Sequence, residues 1–160
     1  MKLKADRSLK IYGRQKQPFT EQIRTLVKYF PQSMKSLPIA MIDDDKIVRD
    51  SVCTFVDLKS NFKIDNSFSS AEDFLAFSFE ESPAILILDV GLPGISGIEA
   101  IPLILKIFPD LDIIMLTTYE EEEVILKALC AGACSFISKR AGLPAIAEAI
   151  EIVANGGSYM

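Results

Sequence analysis

The 160-residue chain has no histidine and only three cysteines, Cys53, Cys130 and Cys134. The cysteines are odd in number and lie within apolar patterns, which favours reduced thiols over a disulfide framework. Cys130 and Cys134 have neither a histidine nor a further cysteine nearby, so the pattern also argues against a zinc site. These absences are typical of an intracellular protein whose fold depends on its own apolar core.

Long apolar runs are missing as well. No stretch approaches the roughly 18 apolar residues of a membrane-spanning helix, and the N-terminus lacks the apolar core of a signal peptide. The sequence also contains no internal repeat and no low-complexity tract. We therefore expect a cytoplasmic protein that has no membrane partner.

Charge is distributed unevenly along the chain. Residues 1–37 carry nine Lys or Arg and two acids, a net charge of +7, whereas residues 38–160 carry eight Lys or Arg and twenty acids, a net charge of −12. Within the basic part, apolar residues at helical spacing predict a short amphipathic helix over Thr20–Phe30. We therefore expect a basic N-terminal extension, 1–37, and one domain, 38–160. A basic extension suits nucleic acid or an acidic partner, although such segments are more often solvated appendages.

Strand and helix patterns alternate through the domain. The predicted strands are Ile39–Ile42, Phe62–Asn66, Ala84–Leu88, Asp112–Leu116 and Ser135–Ser138. The predicted helices are about Lys46–Leu58, Ala71–Phe79, Ile98–Phe108, Glu121–Ala131 and Leu143–Ala154. Five strand–helix units in succession predict an α/β fold, a doubly wound parallel sheet with helices on both faces.

The stretch Ala84–Gly97, AILILDVGLPGISG, organises this domain. Its apolar residues predict a strand that is buried on both faces and ends at Asp89. Glycines and a proline then form a loop before the next helix. A carboxylate at that position lies where open α/β sheets place their chemistry. Taken alone, Asp89 fits a turn cap equally well.

Three acids, Asp43, Asp44 and Asp45, follow the first predicted strand. Adjacent carboxylates repel one another unless a cation or solvent relieves them. Asp45 is suited to cap the next helix. The other two acids, together with Asp89, would suit Mg²⁺, which prefers carboxylate oxygens and keeps several waters. A solvated turn is the alternative.

Two further polar residues end strands. Thr117 follows the fourth predicted strand and Lys139 follows the fifth. Separately, the threonine fits a cap for the next helix and the lysine fits an ordinary surface residue. Together with the acids, however, every such residue falls at the same end of its strand, where parallel strands bring side chains together. This coincidence indicates a functional site.

The pattern resembles the receiver domain of bacterial two-component response regulators, and the resemblance covers Pro38 to about Gly157. It consists of an acidic pair after strand one, Asp89-x-x-x-Pro93-x-x-x-Gly97 after strand three, a threonine after strand four and a lysine after strand five. It implies a flavodoxin-like sheet of order 2-1-3-4-5.

The stretches LTTYEEEE, GACSFISKRA and ANGGSYM are most similar to the branch whose output is a LuxR-type helix-turn-helix domain. In that branch an output domain follows where this chain stops. We therefore expect a piece of a longer protein, or a stand-alone receiver.

The resemblance implies roles for the site residues. Asp89 is implied to be the phosphoacceptor for a sensor histidine kinase. Mg²⁺ is implied to be held by Asp43, Asp44, Asp89 and the carbonyl of Gly91. Lys139 is implied to pair with a phosphoryl oxygen.

The resemblance also implies a switch. Thr117 would move towards the phosphoryl group, and Phe136 occupies the aromatic switch position, so that the surface around helix 4, strand 5 and helix 5 repacks. The acids of Glu120–Glu123 are predicted to be a solvated first turn of helix 4. The implied partners are a histidine kinase, DNA only through an output domain that this chain does not contain, and a second copy, which is left open. Arg140 departs from the family pattern, in which a proline often follows the lysine.

Three other functions compete with this one. A Mg²⁺-dependent aspartyl phosphatase needs Asp-x-Asp, and Gly91 stands where the second acid belongs. A nucleotide-binding Rossmann domain needs a Gly-x-Gly-x-x-Gly after the first strand, which the sequence lacks. A protein-interaction module that is never phosphorylated stays open. The resemblance favours a phosphoacceptor signalling domain, one that assists its own phosphorylation and dephosphorylation, over an enzyme.

Overall fold

The structure is a computed structural model that describes residues 37–160. The predicted basic extension and its amphipathic helix lie outside the described residues, apart from Leu37. In the described part of the chain, no helix has both the length and the apolar character needed to cross a membrane.

Five parallel strands form the central sheet of the described region. They are β1 (Ile39–Ile42), β2 (Ile64–Phe68), β3 (Ile85–Leu88), β4 (Asp112–Thr117) and β5 (Ser135–Ser138). Their order across the sheet is β2-β1-β3-β4-β5, and each neighbouring pair runs parallel. The predicted doubly wound fold and the strand order implied by the resemblance are therefore confirmed.

Helices follow each strand in turn. They are α1 (Lys46–Lys59), α2 (Ala71–Ala76), α3 (Gly97–Ile107), α4 (Glu122–Ala131) and α5 (Leu143–Ala154), with a 3₁₀ turn at Lys139–Ala141. Successive side chains of a strand point to opposite faces of the sheet, so each central strand contributes to two cores. On one face Ile42 and Leu88 pack with residues of α2, α3 and α4. On the other face Met41 and Ile87 pack with α1 and α5.

The predicted second strand, Phe62–Asn66, was placed two residues too early. The observed β2 lies at the edge of the sheet, and its alternate residues are exposed, so apolar periodicity specifies its position weakly. Its pairing with β1 is also irregular between Ile39 and Ala40, where the Ile39 N–H donates to Asp65 Oδ2 at 3.3 Å.

The predicted helix Ala71–Phe79 is three residues too long. The observed α2 ends at Ala76, and two phenylalanines beyond it leave the helix to pack on Phe68 of β2. The ring centroids of Phe77 and Phe79 lie 5.2 and 6.0 Å from that of Phe68. Edge-to-face packing of these rings on the edge strand takes the place of a further helical turn.

Candidate functional site

Three acids gather at the carboxyl ends of the central strands. Asp43 and Asp44 follow β1, Asp89 follows β3, and oxygens of all three lie within 4.8 Å of one another. The two strands are neighbours, and the Asp89 N–H donates to the carbonyl of Ile42 at 2.9 Å, which aligns the strand ends. The predicted acidic cluster therefore forms.

Lys139 reaches the same cluster from the end of β5. Its Nζ lies 2.7 Å from Asp43 Oδ2 and 3.0 Å from Asp89 Oδ2. The Asp43 side chain is fully buried, and those of Asp89 and Lys139 are only 7% and 18% exposed. The alternative that Lys139 is an ordinary surface lysine is wrong. Its ammonium lies between two carboxylates that are largely shielded from solvent, and it forms an ion pair with each of them.

Burial and charge act differently on the two partners. Burial raises the pKa of Asp43 above its ordinary value, although the ammonium beside it acts in the opposite direction. Burial alone would lower the pKa of Lys139, but Asp43 and Asp89 outweigh it and the pKa is raised. The lysine therefore stays protonated at neutral pH, whereas burial disfavours the charged form of Asp43.

The residues present fit a hard divalent cation. Asp43 Oδ2 is buried and, within the described residues, accepts no hydrogen bond. It forms an ion pair with the ammonium of Lys139. Three carboxylates face one ammonium, which leaves negative charge uncompensated. Oxygen donors of this kind and number suit Mg²⁺. The ligand role of the Gly91 carbonyl stays a prediction; the N–H of Gly91 donates to Asp89 Oδ1 at 3.3 Å.

Asp45 stands apart from the cluster, as predicted. Its Oδ1 accepts from the N–H groups of Ile47 and Val48 at 2.8 and 3.3 Å, which caps α1. The Asp45 N–H in turn donates to Asp43 Oδ1 at 2.9 Å, so the cap also orients the buried acid.

Thr117 ends β4 and is completely buried. Its hydroxyl accepts from the Tyr119 N–H at 3.2 Å, which holds the first turn of the β4–α4 loop. The alternative that it caps the next helix is wrong, since Glu121 is the residue before α4 and makes no side-chain cap.

Tyr119 was missed by the sequence reasoning. Its ring lies over Gly91, where an added Cβ would stand 3.1 Å from Tyr119 Cε2. The tyrosine is about half exposed and so lies between solvent and the loop that follows Asp89. The sequence signals for this contact were Gly91, two residues after Asp89, and the aromatic Tyr119, two residues after Thr117.

The prediction that Glu120–Glu123 form a solvated first turn is wrong for Glu120. The helix begins at Glu122, and Glu120 lies in the preceding loop. Its carboxylate accepts a hydrogen bond from the hydroxyl of Ser138 and pairs with Arg140 Nη1 at 3.3 Å. The β4–α4 loop is therefore linked to the end of β5 beside Lys139.

Phe136 lies on β5 and is 7% exposed, packed in the core with α2, α3 and α4. Its N–H donates to the carbonyl of Tyr159 at 3.0 Å, and the Tyr159 N–H donates to Ser135 Oγ at 2.9 Å. The segment after α5 thus runs beside the edge strand. The switch role of Phe136 stays a prediction.

Comparison with known proteins gives a consistent result. The profile of the response regulator receiver domain matches residues 39–151. The chain is 30% identical over 122 residues to the response regulator GacA of Pseudomonas protegens, which covers 76% of this chain and 57% of GacA. It is 24% identical over 124 residues to the transcriptional regulatory protein DegU of Brevibacillus brevis, covering 78% and 52%. The chain thus spans little more than half the length of these curated relatives.

A solved structure is similar over most of both chains. It is a LuxR-family two-component response regulator from Aurantimonas, with a TM-score of 0.72 and 27% sequence identity, covering 77% of this chain and 88% of that one.

Proposed function

This chain belongs to the response regulator receiver domain family. We propose that Asp89 is its phosphoacceptor and receives a phosphoryl group from a sensor histidine kinase. A receiver domain is a signalling domain of two-component systems and not an ordinary enzyme. The observation that supports the proposal is the ammonium of Lys139, 3.0 Å from the Asp89 carboxylate and 2.7 Å from that of Asp43. Such an arrangement places a positive charge where a phosphoryl oxygen would arrive.

The transfer is a substitution at phosphorus. A carboxylate oxygen of Asp89 attacks the phosphorus of a phosphohistidine and forms an O–P bond, while the P–N bond breaks. The electron pair of that bond returns to the imidazole, which takes a proton from solvent. The product is an acyl phosphate on Asp89.

Lys139 serves this step by changing partners. Before transfer its ammonium compensates the acids, and after transfer it pairs with a phosphoryl oxygen. Asp43, Asp44 and Asp89, with the Gly91 carbonyl, would hold Mg²⁺. A bound ion supplies neutralisation of the charge on the transferring group.

The phosphorylated state acts through Thr117. A phosphoryl group brings nearly two negative charges and three acceptor oxygens, and the buried hydroxyl of Thr117 is the donor that moves towards them. Because the same hydroxyl holds the Tyr119 N–H at 3.2 Å, its movement shifts the β4–α4 loop. The surface around α4, β5 and α5 then repacks, and this change passes the signal to the output.

The output that we propose is transcription through a DNA-binding domain, with a second copy as a candidate partner. DegU, one of the relatives, is a transcriptional regulatory protein, and the Aurantimonas neighbour is of the LuxR family. The chain covers 57% or less of the two curated relatives described above, which leaves room in them for an output domain.

Intact-protein mass spectrometry after incubation with acetyl phosphate and Mg²⁺ tests the phosphoacceptor. We expect one phosphoryl group on the wild type and none on Asp89→Asn or in EDTA. Asp110→Asn, an exposed acid in the turn before β4, is the matched control and should be labelled normally. Equal labelling of Asp89→Asn would refute the assignment. No labelling of the wild type would favour a protein-interaction module.

A further inference from the structure

A hydrogen bond reaches the β3–α3 loop, residues 89–96, from a separate part of the chain. Glu72, in the first turn of α2, accepts with Oε1 from the Ile95 N–H at 2.9 Å, although the two residues are 23 positions apart. The cap of α2 is supplied by Ser70, whose hydroxyl accepts from the Asp73 N–H at 3.1 Å. The Glu72 carboxylate is therefore not needed to cap its own helix.

The loop is built to admit this carboxylate. Gly94 has a φ of +72°, a conformation that strains other residues, and a Cβ there would lie 2.3 Å from Glu72 Oε1. The positive φ favours glycine at this position, and a side chain there would displace the Glu72 carboxylate. The close approach to Gly94 and the hydrogen bond from Ile95 both place Glu72 Oε1 against this loop.

Helix α2 gives Glu72 a fixed base. Two residues of this helix are fully buried, Ala71, which precedes Glu72, and Phe74, which follows it by two positions. The Phe74 ring also packs on Phe68 and Phe108, with centroids 5.4 and 5.8 Å apart. Because close-packed core residues resist displacement, the hydrogen bond restrains the loop more than it restrains the helix.

The restrained loop begins at Asp89. At its other end the Gly97 N–H donates to the Val90 carbonyl at 3.0 Å, and within it the Gly91 N–H donates to Asp89 Oδ1 at 3.3 Å. The loop conformation and the orientation of the Asp89 carboxylate are therefore coupled.

We infer that Glu72 is a positioning residue, which holds the β3–α3 loop so that Asp89 faces Asp43 and Asp44 in its reactive geometry. The inference rests on the proposed function, because it concerns the reactivity of Asp89. It adds an acid that lies outside the strand-end cluster and does not itself touch the phosphoryl group.

Two substitutions separate the hydrogen bond from the negative charge of the side chain. Glu72→Gln keeps a carbonyl oxygen that can accept from the Ile95 N–H, whereas Glu72→Ala does not. With acetyl phosphate and Mg²⁺ we expect phosphorylation of the Ala variant to be about tenfold slower than wild type, since small displacements of reacting groups slow transfer. The Gln variant should stay within about twofold. Glu148→Ala, an exposed acid on α5, is the matched control and should react at the wild-type rate.

Amide hydrogen exchange in EDTA gives a second measurement that needs neither metal nor phosphorylation. We expect the Ile95 amide to exchange about tenfold faster in Glu72→Ala than in wild type or Glu72→Gln, while amides of β3 stay protected. Unchanged Ile95 exchange, or equal phosphorylation rates in the wild type and the Ala variant, would overturn the inference and leave the proposed function standing. A wild type that accepts no phosphoryl group would overturn both.

Discussion

Lys139 Nζ stands 2.7 Å from Asp43 Oδ2, and the acid in this ion pair is completely buried. The pair joins the end of β5 to the end of β1 across the site. Burying a carboxylate costs more than such a contact regains unless further hydrogen bonds are made. Asp43 accepts one at Oδ1, from the Asp45 N–H, and none at Oδ2 within the described region. Asp43 therefore lowers the stability of the fold, at the position where the proposed chemistry needs a carboxylate.

Asp43→Asn should stabilise the metal-free protein at neutral pH. Burial raises the pKa of Asp43 in the folded state above 3.8, so the stability that the protonated acid contributes is present below pH 3.8 and is lost as the pH rises through the folded pKa. Asparagine does not titrate. Thermal unfolding in EDTA should show a higher Tm for the variant at pH 7, with the difference disappearing at low pH.

The exposed neighbour provides the control for that experiment. Asp44→Asn changes an acid of the same cluster that is exposed to solvent, and it should shift the Tm less. Both variants should be phosphorylated more slowly. An Asp43→Asn variant less stable than the wild type at pH 7 would contradict the prediction, because the contacts of Asp43 with Lys139 and the Asp45 N–H would then outweigh the cost of its burial.

Thr117→Val should separate phosphorylation from switching. Valine keeps the volume of this fully buried side chain but loses the hydroxyl that accepts from Tyr119 N–H. We expect a loss of about 1 kcal/mol in the free energy of unfolding and retained labelling of Asp89. The amide shifts that Mg²⁺ with beryllofluoride produces in residues 118–121 should be lost. Thr54→Val, on the exposed side of α1, should leave them intact; the same shifts in Thr117→Val would contradict the switch.

Gly97→Ala should disturb the loop at its base. A Cβ at this position would lie 1.9 Å from the carbonyl oxygen of Asp89, so the backbone must move. We expect the free energy of unfolding to fall by roughly 1–3 kcal/mol and phosphorylation to slow. Denaturant unfolding and labelling with acetyl phosphate measure the two effects.

A second glycine distinguishes crowding at the site from simple backbone strain. Gly156 has a φ of +80° and no atom within 4 Å of an added Cβ. Gly156→Ala should cost about 1–2 kcal/mol and leave phosphorylation unchanged. If the two variants were phosphorylated equally fast, the contact between Gly97 and Asp89 would have no part in the chemistry.

Local sequence patterns determined much of this protein. The bounds of β1, β5 and α5 were predicted as the structure has them, because short runs between turn residues favour strands and apolar residues at helical spacing favour a helix. The placement of acids and a lysine after three strands also predicted that they meet, and Asp43, Asp44, Asp89 and Lys139 do so. Parallel strands present their carboxyl ends at one edge of the sheet, so residues that directly follow different strands lie close together in space.

Tertiary structure alone decided the individual contacts that these and other side chains make. That Lys139 pairs with Asp43 as well as Asp89, that Tyr119 covers Gly91 and that Glu72 holds Ile95 depend on the strand order and on side-chain rotamers. The early end of α2 depends on aromatic packing with the edge strand. These contacts join residues distant in sequence, and their energies come from burial and close approach in three dimensions, which no local periodicity encodes.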